Sequence, residues 1–249
     1  MARQTRQAHK IGWLVSIVAT MSLWVLCAKD FWEVKPFTEW SEREALTLLS
    51  ESPWARTQTV LGSVLIVEGG SPSSRAADLP RPVGPGQTSA SGLSRAGVSF
   101  GDRDLVPIYV RWFSSRRVRQ ALGRLGQLQG NAPESEVKKF VQEPMKDYLI
   151  CVLAPVMDPF DQVAFENLKD NTFLSSKKDK SKRLQLSNYT APKDRQDGVA
   201  LFSFPRTLNG KPAFDLADEE VQFVTQAKRV AVKVSFKLSK MMTDASLDL

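Results

Sequence analysis

The sequence predicts an α+β fold: a largely antiparallel sheet, several short helices packed on it, and one long disordered loop inserted between elements. Three observations carry this. From Arg229 to Ser239, Val230, Val232, Val234, Phe236 and Leu238 alternate with Arg229, Ala231, Lys233, Ser235, Lys237 and Ser239, the period-two pattern of a strand with one buried and one wet face. Helical signals concentrate in the middle of the chain, and hairpin-spaced strands follow them. From Gly69 to Gly101 hydrophobic periodicity vanishes, and the stretch holds seven of the chain's fourteen Gly with four Pro and seven Ser.

Taken in order, residues 1–28 read as a targeting segment. Arg3, Arg6, His9 and Lys10 precede the apolar run Ile11 to Leu26, and Cys27-Ala28 closes it. A basic start, an apolar stretch and a small-residue exit are the parts of a secretory signal peptide. The run is short for a membrane span, which needs about 20 residues. Cleavage after Ala28 and retention as an N-terminal membrane anchor both remain open. Either way the basic flank stays cytoplasmic and residue 29 onward crosses the membrane. Bulky Leu26 before Cys27 argues against a lipid-anchored cysteine.

Residues 29–68 supply the N-terminal helix and strand of the main domain. Ser41 and Glu44 form a capping box, Ala45, Leu48 and Leu49 make the apolar stripe, and Ser52-Pro53 ends the helix. Thr57 to Val67 follows as a strand. The 69–101 loop either divides two domains or is an excursion between two elements of one sheet. The second reading is preferred, because residues 30–68 are too few to bury a core alone.

The main α+β domain resumes over residues 102–249. Leu105 to Phe113 reads as a strand that Pro107 pushes toward a sheet edge or strand start. Val118, Ala121, Leu122 and Leu125 form a helical stripe weakened by Gly123 and Gly126. Pro133 opens a helix that Pro144 stops, and Tyr148 to Ala154 is a strand covered on both faces. Asp158-Pro159 begins a helix buried through Phe160, Val163, Ala164 and Leu168. Lys182 to Thr190, Val199 to Pro205 and Val221 to Thr225 are further strands, with a turn at Asn209-Gly210.

Residue types restrict the chemistry. His9 is the only histidine, so beyond residue 28 no Ser-His-Asp triad, Cys-His dyad or His-containing zinc site can form. Cys151, in the middle of an apolar strand, reads as a buried inert thiol. Ser135 with Lys138 and Ser175 with Lys178 match the Ser-x-x-Lys spacing, but 24 Ser and 17 Lys give about that many pairs by chance. Asp218-Glu219-Glu220 reads as a solvated turn rather than a glycosidase pair. No phosphate loop, dinucleotide fingerprint or calcium loop occurs. No catalytic residue, metal ligand or cofactor is therefore assigned.

One constellation remains as a candidate binding site. Arg103, Arg111, Arg116, Arg117, Arg119 and Arg124 cluster around Trp112 and Phe113. Within it Arg111, Trp112, Arg116, Arg117 and Arg119 are the residues singled out for phosphate, anionic lipid or an acidic glycan. The plain alternative is the polar face of an amphipathic helix. Lys177, Lys178, Lys180, Lys182 and Arg183 make a second basic run, read as a solvated loop. Trp32, Phe37, Trp40 and Trp54 read as anchors of the first helix to the sheet.

The stretch FTEWSEREALTLLSESPWA, Phe37 to Ala55, and the stretch FDLADEEVQFVTQAKRVAVKVSFKLSKM resemble uncharacterised exported proteins of acidobacterial type, some of them grouped with GWxTD-domain proteins. The GWxTD string itself does not occur here. The resemblance implies an exported bacterial protein and carries over no activity and no site residue.

The net charge of +7 invites a nucleic-acid partner, yet three of the 34 Lys+Arg and none of the 27 Asp+Glu lie in residues 1–28. The rest of the chain holds 31 against 27, a modest +4, which does not argue for nucleic acid. The sequence thus points to an exported envelope protein, periplasmic, secreted or tethered to the inner membrane by residues 11–28. Its domain would be a non-catalytic module for a protein partner or envelope component. Two alternatives stand beside it: a His-independent hydrolase using Ser-Lys or paired carboxylates, and an anionic-lipid or polyanion binder using the arginines.

Overall fold

The computed structural model describes residues 30–65, 104–130 and 132–249, so the export signal read at 1–28, the loop read at 69–101 and Arg103 lie outside the described residues. Two units divide the chain, residues 1–34 and 35–249. Of the first, residues 30–34 form one helical turn, α1 (Phe31–Val34). Among the described residues no helix is long and apolar enough to cross a membrane.

The second unit is α+β, and among the described residues every paired strand is antiparallel. Its first sheet has the order β1 (Ala55–Leu61), β2 (Leu105–Trp112), β3 (Asp147–Leu153), β7 (Ala200–Pro205) and β6 (Asn188–Thr190). The second has the order β11 (Val230–Lys237), β10 (Glu220–Ala227), β4 (Phe173–Ser176) and β5 (Arg183–Gln185). Two small hairpins, β8 (Thr207–Leu208) with β9 (Lys211–Pro212) and β12 (Met242–Thr243) with β13 (Ser246–Leu247), complete the strands. Because β1 pairs with β2 from Ala55–Arg111 to Leu61–Leu105, the chain on either side of residues 66–103 shares one sheet.

The core lies between the sheets. Even-numbered Ile108, Val110, Trp112, Ile150, Val152, Phe202 and Phe204 face the second sheet's Val221, Phe223, Val232 and Phe236, all at most 1% exposed. The aromatic rings meet edge-on, Trp112 with Phe236 at 5.3 Å and Phe202 with Phe223 at 5.4 Å. The alternation read in residues 229–239 is visible in β11, where Val230, Val232, Val234 and Phe236 are buried and Ala231, Lys233 and Lys237 exposed.

Both sides of the sandwich are tied. The segment read as one strand, Lys182 to Thr190, is two: β5 belongs to the second sheet and β6 to the first. The corner at Leu186-Ser187 switches sheets, with Ser187 N–H donating to the Ser203 carbonyl at 2.9 Å. On the opposite side β1 and β11 lie edge to edge without a backbone ladder. Side chains bridge them there: Gln58 Nε2 donates to the Ala231 carbonyl at 2.8 Å and Gln58 Oε1 accepts from Lys233 N–H at 2.7 Å. Arg56 Nε donates to the Ser235 carbonyl at 2.8 Å.

Three helices pack together beside the first sheet: α2 (Glu42–Glu51), α3 (Arg116–Gly130) and α4 (Glu134–Gln142). The capping box is present, with Glu44 N–H donating to Ser41 Oγ at 3.2 Å and Ser41 N–H to Glu44 Oε2 at 2.7 Å. Trp40 and Trp54 are fully buried. A Cβ on Gly123 would stand 2.6 Å from Val137 Cγ1, so the glycine that weakens the helical pattern is what lets α3 and α4 approach.

Two elements differ from expectation. The strand read to Val67 stops at Leu61, and a 3-10 turn follows over Gly62–Val64. The helix read from Asp158 is two single turns, α5 (Asp158–Asp161) and α6 (Phe165–Leu168), separated where Ala164 is extended. Pro107 lies near the start of β2, as expected, although β2 is an interior strand of the sheet. Its position is tolerated because β3 reaches only as far as Tyr109, and the Trp112 N–H to Trp54 bond puts the even residues of β2 on the β1 side. The missing N–H of Pro107 therefore points where no strand pairs.

Candidate functional site

The arginines that cluster in sequence diverge in space. Trp112 faces the inter-sheet core and is fully buried, edge-on to Tyr148 at 5.6 Å. Arg111, one residue earlier, faces the opposite side of the sheet. It is buried too, and its Nε–H donates to the Leu49 carbonyl, in the last turn of α2, at 2.7 Å. Arg119 is buried and its Nη1 donates to the carbonyls of Phe140 at 2.9 Å and Glu143 at 2.6 Å, at the end of α4. Arg124 Nε donates to the Trp40 carbonyl at 2.7 Å. Arg111 and Arg119 thus serve carbonyls that a helix C-terminus leaves without partners, where the helix dipole favours a cation.

The start of α3 leaves part of the group near solvent, and Arg124 is likewise only partly buried. Arg116 has a half-exposed side chain whose Nη2 lies 3.4 Å from Asp244 Oδ2, and partly buried Arg117 donates from Nη1 to Gln120 Oε1 at 3.3 Å. Below them, Asp248 caps the helix. Its carboxylate accepts from the backbone N–H of Arg116 at 2.6 Å and of Arg117 at 3.0 Å, and from Ser115 Oγ at 2.8 Å. Its own carbonyl accepts from Trp54 Nε1 at 2.8 Å. The partners Leu49, Phe140 and Asp248 lie 62, 21 and 133 residues away in the chain, distances at which the sequence gives no pairing signal.

The second basic run meets the acidic one. Lys177 pairs with Glu220 at 2.7 Å and Lys178 with Glu219 at 2.6 Å. Lys182 pairs with buried Asp218 at 2.9 Å and with Asp215 at 3.4 Å. β4, which the sequence reading missed, brings them together by pairing with β10. Its four residues are too few for a periodic signal of their own.

The groups considered for catalysis all have structural surroundings. Cys151 is buried, and desolvation pushes its thiol up to about 11 against the opposing pull of Arg111. Ser135 is exposed in the first turn of α4, and Lys138 is tied to Glu134 at 2.7 Å. Ser175 lies in a strand rather than on a helix, and Lys178 is held protonated above its ordinary range by its hydrogen bond to Glu219. A lysine base needs the opposite shift. No group of three His, Cys, Asp or Glu able to hold a metal ion is found among the described residues.

What remains is the outer face of the first sheet. Arg111 follows Tyr109 on β2 by two residues, stands directly across from Cys151 on β3, and is followed two residues on by Phe113 in the turn after β2. Cys151, Leu153, Val199 and Leu201 form a buried apolar floor against which Tyr109, Phe113 and Leu149 pack while staying partly exposed. The guanidinium of Arg111 lies 5.9 Å from the Tyr109 ring, and that of Arg195, paired with Asp197, 5.8 Å from the Phe113 ring. Phe140 of α4 meets Phe113 at 6.2 Å. The period-two spacing places Tyr109 and Arg111 on one face of β2, and Phe113 in the following turn packs on the same cluster. The floor beneath them depends on the β2–β3–β7 register.

The chain matches no protein-family model, no curated protein and no solved structure with which it was compared.

Proposed function

We propose that the chain is an exported envelope protein whose α+β domain is a non-catalytic module that binds a protein or another envelope component. The export half rests on the basic start and apolar run of residues 1–28. The non-catalytic half rests on one observation: among the residues weighed for chemistry, Ser135 is exposed, Lys138, Lys178, Asp218 and Glu219 are held in ion pairs, and Cys151 is buried.

The Ser-Lys form of the hydrolase alternative, which stands beside a paired-carboxylate form, needs a lysine whose ammonium loses its proton near neutral pH. Lys138 and Lys178 each face a carboxylate at hydrogen-bonding distance instead. Assay of the full chain against ester, peptide and glycoside substrates, alongside Ser135→Ala, Lys138→Ala and Lys178→Ala, tests the reading. The module account expects no turnover above buffer in any of the four proteins. Turnover by the parent chain that disappears in one of the variants would overturn it.

A further inference from the structure

Four arginines of the domain, Arg56, Arg111, Arg119 and Arg206, are buried enough for desolvation to lower their pKa. Three have carboxylates in electrostatic range: Glu220 for Arg56, Asp248 and Glu143 for Arg119, Asp248 and Asp147 for Arg206. Arg111 has only a thiol and a phenol, Cys151 and Tyr109. Among the described residues it forms no ion pair, and its side-chain hydrogen bond is the Nε–H to Leu49. The partial negative charge at the end of α2 offsets part of a full buried cation, not all of it. Buried charges are ordinarily paired.

The part of this guanidinium with no hydrogen-bond partner among the described residues is its Nη1–Nη2 end, the fork that matches the two oxygens of a carboxylate. It sits in an apolar and aromatic setting, with half-buried Tyr109, Phe113 and Leu149 around it and Leu153 and Leu201 beneath. Resting on the reading of the domain as a binding module, we propose that the outer face of the first sheet binds a small monocarboxylate with an apolar body. The carboxylate pairs with the Nη end of Arg111, and the body lies over Tyr109, Phe113 and Leu149. A small ligand fits better than a folded partner because Arg111 is only 5% exposed. Charge complementarity selects the acid over its neutral analogues.

The test is thermal unfolding of the full chain titrated with octanoate or with 1-octanol, which share the apolar body and differ in the charged head. A ligand that binds the folded state raises Tm. Octanoate is expected to raise Tm saturably, and octanol at equal concentration to leave it unchanged. Arg111→Met, which keeps an unbranched apolar stem and removes the charged fork, should abolish the response. Arg111→Lys, which keeps the charge and loses the fork, should weaken binding at least about tenfold. Equal responses to acid and alcohol, no response to octanoate, or a response surviving in Arg111→Met would each overturn the proposal. Should Arg111→Met fail to fold, the acid-against-alcohol comparison in the parent chain and the Arg111→Lys titration still decide it. Indifference to octanoate in an exported, catalytically inert chain would remove this ligand class and leave the envelope reading standing.

Discussion

The Ser115 hydroxyl donates to the Asp248 carboxylate at 2.8 Å across 133 residues of chain, and the same carboxylate takes the first two backbone N–H groups of α3. A helix N-terminus ordinarily finds its cap in the preceding residue. Here Ser115 serves Val118 N–H at 3.3 Å and a distant aspartate does the rest. Asp248→Ala should therefore cost about 2 kcal/mol, with donors at the helix start left unpaired. Ser115→Ala should cost about 1 kcal/mol. The two losses should not add in the double variant, and urea unfolding of the three proteins and the parent measures this.

Gly123 carries a packing constraint rather than a conformational one. Its missing Cβ would come within 2.6 Å of Val137 Cγ1. Gly123→Ala gains helix propensity of about 1 kcal/mol, yet forces α3 and α4 apart, and overpacking costs about 1–3 kcal/mol. A net loss of stability is expected in urea unfolding. Pairing it with Val137→Ala should restore part of that loss.

The seam between β1 and β11 depends on one amide side chain standing in for a peptide group. Gln58 both donates to Ala231 and accepts from Lys233, so Gln58→Leu removes both bonds at once. At this partly exposed site the loss should be about 1 kcal/mol. Amide hydrogen exchange at Lys233 should accelerate, while Val232, whose strand partner is Thr225, stays protected.

Acid should weaken the start of α2. Glu44 is held down to about 2, first by the Ser41 backbone N–H and then by Lys35 at 3.0 Å. Its pKa lies below the ordinary carboxylate value, so the stability it contributes is complete above about pH 4.5 and disappears as pH falls toward 2. The difference in unfolding free energy between parent and Glu44→Gln should be constant above pH 5 and shrink toward zero near pH 2.

The fold was legible where one face is wet and the other buried. Val230 to Phe236 announced β11, Ser41 with Glu44 announced α2, and Asn209-Gly210 turns between β8 and β9 with both residues at positive φ. It was illegible where tertiary contacts decide. β4 is four residues long, and β5 and β6 look continuous until Leu186-Ser187 changes sheets. Within the candidate site, the residue types around Trp112 were visible, but their directions were not. Neighbouring positions of a strand point to opposite faces, so Arg111 and Trp112 cannot belong to one patch. Arg119 and Arg124 turn instead to carbonyls of other segments.

The placement of residues 29–249 across a membrane is the central functional claim. Alkaline phosphatase is active only in an oxidising compartment, where its disulfides form. Fused after Leu249 and expressed in a bacterial host, it is predicted to be active with the whole chain and inactive when residues 11–26 are deleted. An inactive fusion of the whole chain, made at the same level as the deleted one and retained in the cytoplasm, would contradict the account.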